Sequence, residues 1–211
     1  MPAGASAGSG PETPELTGLV LAGGGGKRMG RDKALLPLGN RPAVVVLAER
    51  LATCCSEVLV ASGDGRRLAG LGLPEVADAA PAAGPLAGIV AGLERSSSPL
   101  LAVVAVDMVF ADPCLLVWLA RRHRGEAAVL ASAGGRPQPL HGVWAKSAAA
   151  PLRRRLERGA RSVSGAATEL GAAVVDEREW RGAGIADGWA DDADDPVGWQ
   201  AALDRLGSPR R

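Results

Sequence analysis

The chain has 211 residues, of which 22 % are charged and 47 % hydrophobic, and a formal net charge of +1. That length suits one α/β domain with a real core and short extensions, and the balanced charge offers no basic field for wholesale nucleic-acid binding. Aromatic residues make up 3 %, with one Phe and no Tyr, which excludes base-stacking platforms of the single-strand-binding kind.

Residues 1–16 hold no basic region followed by an apolar stretch, so they read as a disordered leader rather than a signal peptide. No apolar run reaches transmembrane length; the expected location is cytoplasmic, with no membrane partner. Residues 17–22 form a short apolar run stopped by glycines, the mark of a buried parallel strand. A helix is expected over 43–52 with Val44, Leu47, Ala48 and Leu51 on one face, then strands at 57–61 and 74–77. A helix over 86–95 follows Gly84 and Pro85. Residues 100–106 are the most apolar stretch, a central strand that stops at Asp107. Asp112 and Pro113 supply an N-cap and a first-turn proline for a helix running toward His123 and ending at Gly125. Strands at 127–131 and 140–144 come next, then a basic helix near 148–158, a short helix at 163–170, a strand at 173–175 and a closing helix at 197–206. Residues 176–195 read as irregular, with Trp180, Trp189 and Trp199 packing the C-terminal segment. The alternation predicts a Rossmann-like α/β fold, a doubly wound and mostly parallel sheet with helices on both faces. The domain spans 17–206 and leaves 207–211 as a tail.

Cys54, Cys55 and Cys114 are odd in number and lack metal-ligand spacing, so buried, inert thiols are expected. Only two histidines occur, His123 and His141, too few for a histidine-centred metal site. Arg153, Arg154, Arg155 and Arg158 read as a solvated helix face.

The first strand runs into glycines at 23–26, and a glycine-rich turn there lets backbone amides approach a phosphate. The dinucleotide fingerprint GxGxxG fails, because Arg28 and Met29 stand where glycine is required. The Walker pattern GxxxxGK[ST] fails at Leu21 and Arg28. What remains is Gly23 to Gly26 followed closely by Lys27, Arg28, Arg31 and Lys33, cations beside an amide-lined loop. Lys27 and Arg31 read as solvated loop charges. Asp107 ends an apolar strand at the edge where open α/β sheets bind ligands; taken alone it is either a metal ligand or a loop-bracing carboxylate.

The run LAGGGGKRMGRDKALLPLGNRP (21–42) resembles the opening motif of the molybdenum cofactor guanylyltransferase family of nucleotidyltransferases. The resemblance continues through GPLAGIVAGL (84–93), VDM-F (106–110), GRPQPLHGVW (135–144), RGARSV (158–163) and DADDP (192–196). It implies transfer of GMP from GTP to the terminal phosphate of molybdopterin or its molybdenum-loaded form, with release of pyrophosphate. Arg28, Lys33 and Asp107 would be the catalytic residues. Leu21, Ala22, Gly23, Gly24, Gly25, Gly26, Lys33, Asp78, Gly84 and Asp107 would hold the nucleotide. Asp107 and Asp194 would bind Mg²⁺, the register among Asp192, Asp194 and Asp195 being open, and Arg136 and Gln138 would face the second substrate. Molybdoenzymes or other cofactor-biosynthesis proteins follow as candidate partners. The chain departs from the family at Val109, where Pro is usual, at Ala61 and Ser62, where Asn is common, and in lacking a Thr before Pro196. A cytidylyltransferase on the same pterin, another small-phosphate nucleotidyltransferase and a nucleotide-binding chaperone without turnover are the alternative functions.

Overall fold

The computed structural model describes residues 14–23 and 32–207. Its first strand, β1 (Leu16–Leu21), is buried throughout, with Leu16 and Val20 packed into one face of the sheet and Leu19 and Leu21 into the other. Such two-sided burial belongs to a central strand of a covered sheet. Two-residue strands β2 (Pro37–Leu38) and β3 (Arg41–Pro42) then pair as a separate small ribbon. In the main sheet, β1 lies parallel to both β4 (Glu57–Gly63) and β6 (Leu100–Ala105), and β5 (Glu75–Ala77) adds in parallel outside β4. Beyond β6 come β8 (Arg136–Ala145), β7 (Ala128–Ala133) and β9 (Ala173–Val175), giving the order β5-β4-β1-β6-β8-β7-β9. Only β8 runs against its neighbours. The sheet is therefore mixed but mostly parallel, as the alternation of elements requires.

Helices cover both faces. One core contains the apolar sides of α1 (Ala43–Ala52), α3 (Pro113–Ala120), α6 (Glu177–Gly182) and α7 (Pro196–Gly207); the other contains those of α2 (Pro85–Arg95), α4 (Ala149–Glu157) and α5 (Val163–Glu169). The α1 stripe is Val44, Leu47, Ala48 and Leu51, as the spacing predicts. Helix α2 lies unusually close to β1: a methyl at Gly88 would come within 2.8 Å of Leu21 Cδ2, and one at Gly92 within 2.7 Å of Leu19 Cδ2. This close approach explains two glycines inside a helix that would otherwise be weakened by them.

Several expectations need correction. Residues 176–195 are not wholly irregular, because Asp176 and Glu179 form a reciprocal capping box that starts α6. The strand expected from residue 140 starts at Arg136, since the hairpin turn at Gly134 and Gly135, both with positive φ, lets the pairing of β8 with β7 begin there. Helix α3 stops at Ala120, short of His123. The β1–β6 pairing begins at Leu16, opposite Leu100, and α7 runs to Gly207, one residue past the expected helix end. The arginine face of α4 is not simply solvated: Arg153 pairs with Glu94 of α2 and donates to the Ala79 carbonyl, while Arg155 pairs with Glu169 of α5. Nor are the thiols all buried. Cys54 and Cys55 are half-buried, and Cys114 is exposed in the first turn of α3. The tryptophans do pack the C-terminal segment, with Trp180 against Trp189 at 5.7 Å and Trp199 Nε1 donating to the Pro37 carbonyl. No described helix is long and apolar enough to cross a membrane.

Candidate active site

The carboxyl ends of β1, β4, β5 and β6 gather the residues singled out in the sequence. Beyond β1, Ala22 continues the sheet by donating to the Ala61 carbonyl, while the Leu21 carbonyl accepts from Val106. These bonds commit the Leu21 carbonyl and the Ala22 amide to the sheet. Gly23 abuts the next strand ends, since a methyl on it would lie 3.4 Å from both Asp78 Oδ2 and the Gly63 amide. Gly24, Gly25, Gly26 and Arg28 lie outside the described residues.

Asp78 follows β5 and is half-buried behind Gly23. Burial pushes its carboxyl up to about 6, against the opposing pull of Arg67 and of a backbone hydrogen bond from Gly63. Its Oδ1 is buried without a hydrogen-bond partner among the described residues, as is the Ser62 hydroxyl, which stands where the family often carries Asn. Two buried polar atoms at the carboxyl edge of the sheet thus lack partners among the described residues. Gly84 lies beyond them, with φ of 77° at the N-cap of α2, a conformation that suits glycine.

The centre of the site forms at the end of β6. Asp107 is held there by its own backbone, whose carbonyl accepts from Ala193 at 3.0 Å. That bond draws the acidic segment before α7 onto the sheet edge. Lys33 approaches from a short 3-10 turn, Lys33–Leu35, capped by Asp32. Its ammonium donates to Asp194 at 2.6 Å and to Asp107 at 3.1 Å. Burial pulls the Lys33 pKa down, but the two carboxylates outweigh it and hold the value above the ordinary one. Asp192 stands close by; burial, and then the charges of Asp194 and Asp107, raise its pKa. Asp195 has a different task, accepting from the Gly198 amide at 2.8 Å at the start of α7. Asp194 thus meets Lys33, Asp192 lines the same cleft beside it, and Asp195 begins α7.

A hard divalent cation fits this donor set. Two carboxylates from separate elements already converge on a single positive charge, and burial, then the charges of Asp194 and Asp107, raise the pKa of a third acid nearby. Mg²⁺ takes one or two carboxylates and completes its shell with waters and phosphate oxygens; Asp107 and Asp194 are the carboxylates that would meet it here.

On the far side of Asp107 a cleft of about 590 Å³ is lined by Asp107, Arg136, Gln138, Arg161, Asp192 and Asp194. Arg136 and Gln138 therefore face the same cleft as the acids. The Gln138 amide nitrogen is directed back to the hairpin, donating to the Ala133 and Arg136 carbonyls.

Residues 18–174 match the MobA-like NTP transferase domain family. The chain belongs to that family. The molybdenum cofactor guanylyltransferase of Cereibacter sphaeroides is 44 % identical over 166 residues, covering 75 % of this chain and 83 % of that relative. Among solved structures, the molybdopterin-guanine dinucleotide biosynthesis protein A of Archaeoglobus fulgidus superposes with a TM-score of 0.79 at 22 % identity, over 90 % of this chain and 98 % of that one. The 2-C-methyl-D-erythritol 4-phosphate cytidylyltransferase of Thermus thermophilus gives 0.61 at 19 %, over 90 % and 98 %. At 22 % and 19 % identity these likenesses establish the fold.

Two contributors to the site escaped the sequence reading. Arg67 reaches from the loop after β4 to bond the Ala22 and Ser62 carbonyls and to pair with Asp32, tying three edge loops together. Arg161 donates to the Ala82 carbonyl at 2.9 Å and lines the cleft. Arg67 lies outside every recognised motif, so no local signal could have found it. Arg161 sits within RGARSV, and its motif was the available signal.

Proposed function

We propose that this protein transfers GMP from GTP to the terminal phosphate of molybdopterin or Mo-molybdopterin, forming the guanine dinucleotide cofactor and pyrophosphate. The observation that carries the reading is the convergence of Lys33, Asp107 and Asp194 at the β6 edge, in a chain 44 % identical to a molybdenum cofactor guanylyltransferase.

The acceptor phosphate is an anionic nucleophile, so the reaction needs positioning and charge neutralisation rather than a protein base. That agrees with His141, which is fully buried, stacked on Trp189 at 4.9 Å and held by burial to about 3. Lys33 supplies a positive charge to the triphosphate when it exchanges its carboxylate partners for phosphate oxygens. Asp107 and Asp194 are assigned as the carboxylates that hold Mg²⁺, which when bound supplies Lewis-acid stabilisation of the phosphate oxygens. Gly23, Gly24, Gly25 and Gly26, with Arg28, are assigned to the triphosphate. Asp78, whose Oδ2 lies behind Gly23, is assigned to the nucleotide. Arg136 and Gln138 face the second substrate across the cleft.

The test is Asp107→Ala. Pyrophosphate release from GTP and acceptor should be lost while thermal unfolding stays cooperative and near that of the parent. Persistent pyrophosphate release would remove Asp107 from the reaction centre.

A further inference from the structure

Lys33, the side chain given to the triphosphate, has a long flexible stem and stands on a 3-10 turn of only three residues. Its place therefore depends on what holds that turn to the sheet. On the inner side Ala34 is fully buried in the core. On the side of the sheet edge the tether is Asp32, whose carboxylate has two tasks. Oδ1 accepts from the Ala34 amide at 3.0 Å and caps the turn, while Oδ2 pairs with the Arg67 guanidinium.

Arg67 is engaged in turn through each of its side-chain nitrogens. Nε donates to the Ser62 carbonyl at 3.2 Å near the end of β4, Nη2 donates to the Ala22 carbonyl just beyond β1, and Nη1 meets Asp32. A planar guanidinium shared among three partners in this way is fixed in orientation, which the point charge of a lysine would not be. The backbone on both sides is pinned as well. Asp64 Oδ1 accepts from the Arg66 and Arg67 amides, both at 2.9 Å, and the Glu75 carboxylate of β5 accepts from the Leu68 amide at 3.0 Å. The loop turns tightly there with positive φ at Gly63 and Gly65, and a methyl on Gly65 would come within 2.9 Å of the Ala77 amide.

This arrangement suits a brace rather than a phosphate-binding cation, because the guanidinium already serves protein oxygens with all three nitrogens. Arg67 and Asp32 are 27 % and 23 % exposed, enclosed enough to keep a geometry that an open surface pair would lose to water. The brace also spans the right elements. It joins the ends of β1 and β4 to the residue next to Lys33, whose ammonium meets Asp107 beyond β6.

We propose that Arg67 is a positioning residue for nucleotidyl transfer: through Asp32 it fixes the 3-10 turn against the ends of β1 and β4, and so sets where the Lys33 ammonium meets the triphosphate. This rests on the guanylyltransferase reading and adds to it a residue that acts through another. A displacement of about 1 Å in such a group costs on the order of a hundredfold in rate.

Arg67→Met, Arg67→Lys and Asp32→Asn test it in the full chain. Steady-state kinetics with GTP and Mo-molybdopterin should show kcat lowered at least about tenfold in Arg67→Met and Asp32→Asn, with KM for Mo-molybdopterin within about twofold of the parent. Asn at position 32 can still cap the turn, so its loss of rate reports the pair with Arg67. Arg67→Lys keeps the charge that Asp78 feels but not the fork, and should be no more active than Arg67→Met. In a Lys33→Met background, Arg67→Met should change kcat by less than about twofold, because its effect passes through Lys33; a purely structural role would lower the rate further. Should Arg67→Met fail to fold, Asp32→Asn alone and combined with Lys33→Met carries the test. A kcat within about twofold of the parent in the folded variants, activity restored by Arg67→Lys, or full additivity with Lys33→Met overturns the proposal and leaves the guanylyltransferase reading in place. A parent protein that makes no product from GTP overturns the underlying reading instead, and the part given to Arg67 with it.

Discussion

Replacing Lys33 with Met removes the ammonium that lies 3.1 Å from Asp107 and 2.6 Å from Asp194, and leaves the charges of Asp107, Asp192 and Asp194 beside one another. The Asp194 carboxylate is 49 % exposed, so its pair with Lys33 contributes under ~1 kcal/mol. Asp107 is more enclosed, at 25 %, and its pair contributes ~1–2 kcal/mol, between the watery and the protein-like limits for charges at this separation. The cost of burying Lys33 offsets part of the sum. A net loss of about 2 kcal/mol is expected, or roughly 4–8 °C in Tm for a domain of this size. Differential scanning fluorimetry in low salt reads it directly. Adding Asp194→Asn to Lys33→Met should recover about half of the loss by relieving like-charge repulsion. Mg²⁺ should also raise the Tm of Lys33→Met more than that of the parent, because no ammonium competes for the carboxylates. A Lys33→Met protein within about 1 °C of the parent, insensitive to Asp194→Asn, refutes the electrostatic account of the centre.

Asp78 titrates near 6 in the folded chain against an ordinary 3.8, so the folded state holds this proton more tightly and its contribution to stability is lost as pH rises through that window. In the absence of nucleotide, Asp78→Asn should therefore stabilise the protein at pH 8 by ~1 kcal/mol, a figure discounted for its solvent-facing side, while weakening GTP binding in isothermal titration. Parent GTP affinity should rise as pH rises through about 6; a flat profile between pH 5 and 7 counts against Asp78 as a nucleotide contact. Gly92→Val should destabilise by about 3 kcal/mol in urea titration, since even a methyl there meets Leu19 at 2.7 Å. Asp176→Ala should cost about 1 kcal/mol by breaking the α6 capping box, and unchanged stability would mean that α6 is held by Trp180 alone.

Local rules made much of this fold legible. The stripe of α1, the cap and proline that begin α3, and the continuous apolar runs of β1 and β6 are each set by nearby residues, and the structure has them where the pattern requires. Helix α6 was legible too, because Asp176 and Glu179 have capping-box spacing, but the surrounding Gly and Asp residues masked it. The tethers of Arg153 and Arg155 were not legible, since a basic helix face shows nothing of the acidic residues that α2 and α5 bring to it. At the site, the family resemblance implied Lys33, Asp107 and Asp194 as separate candidates. Only the tertiary bond from Ala193 to the Asp107 carbonyl explains why Asp194 reaches the centre while Asp195 caps α7. Arg67 depends on contacts among three loops distant in sequence, and no pattern within any one of them announces it.

The most direct test of the central claim is product analysis by mass spectrometry after incubation with Mo-molybdopterin, Mg²⁺ and equal concentrations of GTP and CTP. The guanine dinucleotide cofactor and pyrophosphate should accumulate with little cytosine product. Predominant formation of the cytosine dinucleotide, or no dinucleotide from either, would contradict the account.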